Sequence, residues 1–184
     1  VVMVSQDLAP DRIFPVDSMN LSTGTGLLVL KACKYRDQGL SAKEIQVKLL
    51  HDRENVRSQF AIETMEFLHK GGRCSGVAAF AGKVLNIKPV IAVTEGKLHV
   101  ARKVVGKMKM ALNAMLKQIE ADLDKLDKDC VFVTHALGYE SAEYLKAKLA
   151  EMIPGVTVHE TVAGCVISSH CGKGTIGILY MVQE

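Results

Sequence analysis

The sequence predicts an α/β fold with some α+β character: a mixed sheet with flanking helices. Short apolar, β-branched runs alternate along the chain with segments whose apolar residues recur at helical spacing. Of the 184 residues, 48% are hydrophobic, enough for one good core or for one domain plus a piece of another. There is no internal repeat, low-complexity tract or flexible linker to divide it.

The elements follow in order. Val1-Val2-Met3-Val4 enters directly into apolar sequence and reads as a start inside a domain. Residues 13–16 read as a short strand broken by Pro15, leading into a polar, glycine-bearing loop over residues 17–26. Residues 27–36 read as a helix closed by Gly39. Ser41 and Glu44 form a capping box that starts a second helix, ending near Leu50. Residues 60–62 read as a strand. Residues 67–75 are a basic, glycine-paired corner after a helical turn.

Residues 75–85, rich in Ala and Gly, read as a helix small enough for a ligand tail or for close packing. Residues 89–93 form a strand, with Pro89 first, where no ladder donor is needed. Glu95-Gly96 suits a hairpin turn, and residues 98–101 return. Met108, Leu112, Met115, Leu116, Ile119, Leu123 and Leu126 describe one long amphipathic helix with a core stripe. Then come a buried-type strand (130–134), a helix (139–152), a strand (156–159), a polar glycine loop (164–174) and a last strand (176–181).

Charged residues make up 23% and the formal net charge is +3, too weak a bias to indicate nucleic acid. There is no apolar run of transmembrane length and no signal-peptide pattern, so the expected compartment is the cytoplasm and any membrane contact is transient. Cys33, Cys74, Cys130, Cys165 and Cys171 form no CxxC pair, which argues for reduced structural thiols. Cys165, His170 and Cys171 lack a second ligand pair for a metal. No cofactor is expected.

Two polar loops could carry chemistry. The first, Ser18 to Gly26, ends at a helix start, where free amides and hydroxyls can hold an anion; an ordinary helix cap reads equally well. In the second, His170 beside Ser168 and Ser169 can hold a carboxylate by hydrogen bonding. It could also be the base of a hydrolase or transferase, but the GxSxG elbow is missing. Gly172-Lys173-Gly174-Thr175 is no P-loop, because Ile167 stands where the leading glycine is needed. Arg73, after two glycines, could meet a phosphate or an acidic partner, or be a solvated Arg beside Lys70.

Several separated motifs resemble the DegV family, bacterial proteins that bind a long-chain fatty acid. Phe67-Leu68-His69-Lys70-Gly71-Gly72-Arg73-Cys74-Ser75 is similar to the family's FLKKGGRIS, and Leu85-Asn86-Ile87-Lys88-Pro89-Val90 to its LNIKPI. Asp17-Ser18 with Ser22-Thr23-Gly24-Thr25-Gly26 resembles its DS and SxGLG segments. Residues 63–68 resemble its (D/E)TLEYL, and residues 164–174 its GPVIGTHTGPGA.

The resemblance implies two α/β lobes with a fatty acid between them. His170, Ser169, Ser18, Gly24 and Gly26 would serve the ligand, and Arg73 the acyl phosphate or a partner. It implies a carrier rather than a catalyst: a separate fatty acid kinase phosphorylates the carboxyl group. The family's first lobe, with its TDS strand end and SSxLSGT loop, is absent. Residues 1–55 are accordingly expected to be the remainder of that lobe plus connecting helices, and residues 56–184 the C-terminal lobe. The family's KxRG element appears as Lys103-Val104-Val105-Gly106, which puts in doubt any kinase docking by its arginine.

Overall fold

The computed structural model of the chain describes residues 2–73 and 86–183. The helix expected over residues 75–85, with Cys74, Ser75 and Leu85 of the two motifs, lies outside the described residues.

The elements are α1 (Val2–Leu8), α2 (Thr23–Asp37), α3 (Ala42–Asp52), β1 (Val56–Ala61), α4 (Glu66–Lys70), β2 (Ile87–Thr94) and β3 (Lys97–Val105). They continue with α5 (Met108–Ala121), β4 (Leu126–His135), α6 (Tyr139–Met152), β5 (Val158–Val162), α7 (Cys165–Cys171) and β6 (Ile176–Val182). The strands form one sheet in the order β3-β2-β1-β6-β4-β5. Every pairing is antiparallel except β4–β5, the two strands joined through α6. The mixed sheet with flanking helices is as expected.

β6 lies in the middle of the sheet and is buried along its whole length, which is why residues 176–182 are apolar without alternation. On one face Ile176, Ile178 and Tyr180 of β6 join Val131 and Val133 of β4 under α5 and α6, whose stripes include Met115, Ile119, Leu145 and Leu149. The opposite face is covered in two patches. Leu179 and Met181 pack with Leu27 and Leu28 of α2 and Leu49 of α3. Phe60 and Ile91 pack with Leu68 of α4 and Cys171 of α7. α2 and α3 thus share the sheet of the later strands.

The capping box is present: Ser41 Oγ accepts from the Glu44 N–H (3.4 Å), and Glu44 Oε2 accepts from the Ser41 N–H (2.8 Å). The hairpin turn places Glu95 and Gly96 at φ 50° and 73°.

Five expectations need correction. Residues 13–16 form no strand: Pro15 lacks a ladder donor, and its carbonyl instead accepts from Gln46 Nε2 (2.7 Å). The helix over Met108 stops at Ala121, and Leu126 opens β4; Leu123 still packs on the same core from the turn between, so periodicity outran the backbone. The first polar loop ends sooner, because α2 begins at Thr23 and takes in Gly24 and Gly26. The second contains α7, bracketed by Gly164 and by Gly172 at φ 83°. Pro89 is third in β2 rather than first, beside the β-bulge at Val90/Ile91.

Candidate functional site

Between the two patches on the α2/α7 face the sheet carries a small pocket. Strands β1, β6 and β4 form its floor, Leu21 and Ser22 ahead of α2 one wall, and Ile167 and Cys171 of α7 another. Gly177 of β6 deepens the floor. A Cβ there would lie 3.1 Å from the Gln59 carbonyl and 3.2 Å from Phe60 Cβ.

Most polar groups around the pocket are already bonded within the chain. Ser58 Oγ donates to Asn20 Oδ1 (2.7 Å). The hydroxyls of Thr23, Thr134 and Thr161 form a chain with links of 2.6 and 2.8 Å. Thr175 Oγ1 donates to the Cys171 carbonyl (2.9 Å). Side chains saturated in this way present mainly carbon to the cavity, so the pocket favours an apolar group. Burial pushes the Cys171 thiol up to about 11, consistent with a water-poor wall.

At the end of β4, His135 is fully buried and directs its ring to the α6 face, edge-on to Tyr139. Its Nδ1 accepts from the Gly138 N–H (3.2 Å) and so carries no proton; Nε2–H then donates to Glu160 (3.1 Å). Lys146, and after it His135, hold the Glu160 carboxyl below the usual carboxylate range. These bonds fix the turn 136–138, where Leu137 adopts φ 55°, and with it Ala136 of the pocket wall.

The expected site residues fall into two groups beside the pocket, not in its lining. Ser18 Oγ pairs with Thr25 Oγ1 (3.1 Å), fastening the loop to the first turn of α2. Gly24 lies against Asn20 and Ser58, where a Cβ would be 2.1 Å from Asn20 Oδ1. A Cβ on Gly26 would meet Thr23 at 3.8 Å, an ordinary contact. In the second group His170 packs on Gly71, so closely that a Cβ there would lie 2.1 Å from Nδ1. Gly172 receives the Phe67 ring in the same manner. α7 and the basic corner are therefore locked together, which brings His170 beside the turn that carries Arg73.

Arg73 is exposed, with Nη1 donating to the Gly71 carbonyl (2.8 Å). Ser169 is exposed and donates to the Val166 carbonyl (2.9 Å); Ser168 donates to the Ala163 carbonyl (3.0 Å). Neither hydroxyl points its proton at His170, the geometry a nucleophile and base would need. Among the described residues no group of His, Cys, Asp and Glu is arranged to hold a metal. Likewise, no helix among them is long and apolar enough to cross a membrane.

Sequence reasoning missed Ser58, Thr134, His135 and Cys171. The available signal was a histidine ending the buried run Val131-Phe132-Val133-Thr134 just before a helix, where an imidazole must find buried partners.

Fold and pocket together define an α/β protein with an apolar cavity on one sheet face, flanked by a helix start and a glycine-locked basic corner. The chain belongs to the DegV family: residues 1–183 match the family's sequence profile, described as uncharacterised protein. A DegV domain-containing protein of Clostridium acetobutylicum is 30% identical over 174 residues, 95% of this chain and 61% of that protein. Protein DegV of Bacillus subtilis is 28% identical, over 91% of this chain and 60% of its own. Among solved structures, a fatty-acid-binding DegV family protein from Thermus thermophilus superposes with a TM-score of 0.88 at 29% identity, covering 98% of this chain and 64% of its own. A Streptococcus pneumoniae fatty acid kinase B3 protein loaded with linoleic acid shares the fold, with a TM-score of 0.84 at 21% identity, 99% of this chain and 64% of its own. The chain spans about three fifths of the length of the curated relatives it matches.

Proposed function

We propose that the chain is the larger part of a fatty-acid carrier that buries the acyl tail and presents the carboxyl group to a kinase, without catalysing the transfer itself. The observation that carries this reading is the apolar pocket, most of whose polar neighbours are bonded within the chain. The likeness to the fatty-acid-binding DegV family protein of Thermus thermophilus supports it. In this reading residues 1–55 connect from the first lobe and lay two helices on the sheet of the second, residues 56–184. The second and fuller wall comes from the first lobe.

Volume supports that division. The cavity encloses about 30 Å³, whereas ligand pockets for small molecules run to roughly 300–1,000 Å³. A long tail, each buried methylene of which contributes about 0.8 kcal/mol, needs walls that move or that other parts of the protein complete. His170 and Ser169 at α7, with Ser18 in the loop before α2 and Gly24 and Gly26 in its first turn, are the proposed carboxylate side. Arg73 is the proposed contact for the acyl phosphate or the kinase.

The test is lipid extraction and mass analysis of the intact protein from its own cells, with a palmitate-analogue titration of wild type and His170→Ala. A copurifying acyl chain and weaker binding by a folded His170→Ala are expected. Unchanged affinity would remove His170 from the site, and covalent acylation of Ser168 or Ser169 would favour the hydrolase or transferase reading instead.

A further inference from the structure

We infer that the cleft between α2 and the strands β4 and β5 is a second ligand site, one for a free α-amino acid with an apolar side chain, independently of what occupies the pocket. The cleft encloses about 260 Å³, against about 30 Å³ for the pocket, and no described residue lines both. It lies along the far part of α2. Lys34, on its rim, stands eleven residues beyond Thr23, about 16 Å along the helix axis.

The floor of the cleft is apolar: Leu27, Cys130 and Met181 are buried members of the core patch under α2. The rim is ionic, with cations on the helix wall and carboxylates on the strand wall. Lys31 Nζ pairs with Asp127 (3.3 Å), whose side chain is only 8% exposed and whose Oδ1 accepts from the Asp129 N–H (3.1 Å). Lys34 Nζ pairs with Asp129 (3.0 Å), and here both side chains are open, 47% and 76% exposed. Asp37, also on the rim, is taken by Arg36 (2.8 Å). The His159 ring, 5.5 Å from that of Phe132, stands on the side of edge strand β5.

The balance of charge selects the ligand class. An anion drawn to Lys34 would meet Asp127 and Asp129, and a cation drawn to Asp129 would meet Lys31 and Lys34, so each is opposed by like charges. A zwitterion inserts into the open pair: its carboxylate accepts from the Lys34 ammonium, its own ammonium donates to Asp129, and no charge is stranded. Opening that pair costs little, because exposed ion pairs are weak. The drier Lys31–Asp127 pair stays closed and holds the two walls together. An α-amino acid carries both charges at one end and its side chain at the other, the order in which rim and floor are stacked. An aliphatic side chain on Leu27 and Met181 then adds apolar burial. A cavity just under the roughly 300 Å³ at which drug-sized pockets begin suits a ligand this small.

The experiment is titration calorimetry of the intact protein with L-leucine, 4-methylpentanoate and 3-methylbutylamine. The three share one apolar group and carry both charges, the carboxylate alone and the ammonium alone. Leucine is expected to bind, and to bind about ten-fold or more tightly than either analogue, as loss of one charge-assisted contact implies. Lys34→Gln and Asp129→Asn alter open side chains, so the fold is kept, and each should weaken leucine binding about ten-fold. Leucine binding is expected to be unaffected by a saturating palmitate analogue. Absence of leucine binding, equal binding of either analogue, or wild-type affinity in either variant overturns the inference. Competition between leucine and the palmitate analogue also overturns it, by placing the amino acid in the pocket instead.

Discussion

Gly24→Ala tests how the start of α2 is seated on the sheet. Gly24 is buried, and a Cβ there would lie 2.1 Å from Asn20 Oδ1 and 2.6 Å from Ser58 Oγ, distances no real Cβ tolerates. Asn20 Oδ1 accepts from Ser58 Oγ (2.7 Å) and from the Leu21 N–H (3.1 Å), so the methyl group must push it off both donors. Leaving the buried Ser58 hydroxyl unpaired costs about 1–3 kcal/mol. The accompanying overpacking costs about 1–3 kcal/mol, and the better helix propensity of Ala returns about 1 kcal/mol. The expected loss is about 1–5 kcal/mol, a fall of about 2–20 °C in melting temperature for a chain of this size. Thermal unfolding followed by circular dichroism measures it. In a background carrying Asn20→Ala and Ser58→Ala the obstacle is gone, and the same substitution should be neutral or stabilising. An equal loss in both backgrounds, or none in the wild type, would refute the reasoning.

Three further outcomes are expected. His135→Ala should cost about 2–4 kcal/mol in urea unfolding, because it opens a cavity and strands both the Gly138 N–H and the Glu160 bond; a loss under about 1 kcal/mol would show that the turn is held otherwise. Iodoacetamide at mildly alkaline pH should modify exposed Cys165 well before Cys171, whose thiol is pushed up to about 11; mapping the alkylated peptides in the reverse order would contradict a dry pocket wall. Burial, and then the bond to Asp52, push the Tyr35 hydroxyl up to about 12. Since the protonated form is favoured in the fold, its contribution should be complete below about pH 10 and be lost as pH rises towards about 12. Tyr35→Phe should flatten that part of the alkaline stability curve.

Much of the fold was legible because local chemistry and tertiary structure agree. Ser41 and Glu44 cap α3 with no help from elsewhere, Glu95-Gly96 supplies the two positive φ angles of a hairpin, and the unbroken apolar run at 176–182 reports a strand covered on both faces. Legibility failed where one signal served two structures. Leu123 and Leu126 continue the helical stripe of Met115 and Ile119 because they face the same core, yet the chain has already turned and become a strand. At 164–174 the glycines and serines resemble a loop, yet Cys165–Cys171 is a helix that docks against α4 and the turn after it through Gly71 and Gly172.

The site was half legible for a related reason. Glycine-bearing motifs mark where backbones must approach, so Gly24 and the His170 segment stood out from sequence. The pocket floor is assembled from Ser58, Thr134 and Gly177, which lie on three different strands, and no spacing along the chain records that they meet.

The position of β6 also shapes how the molecule is made. The strand at the heart of the sheet is drawn from residues 176–182, and one of its neighbours, β1, from residues 56–61. During synthesis β1 and β4 leave the ribosome with their facing edges open, and the strand that joins them is translated after both. Contacts at such separation close slowly, and open apolar edges invite pairing with other chains in the meantime. Between the translation of β4 and the arrival of Ile176 to Val182 the chain therefore carries two strand edges that nothing yet joins.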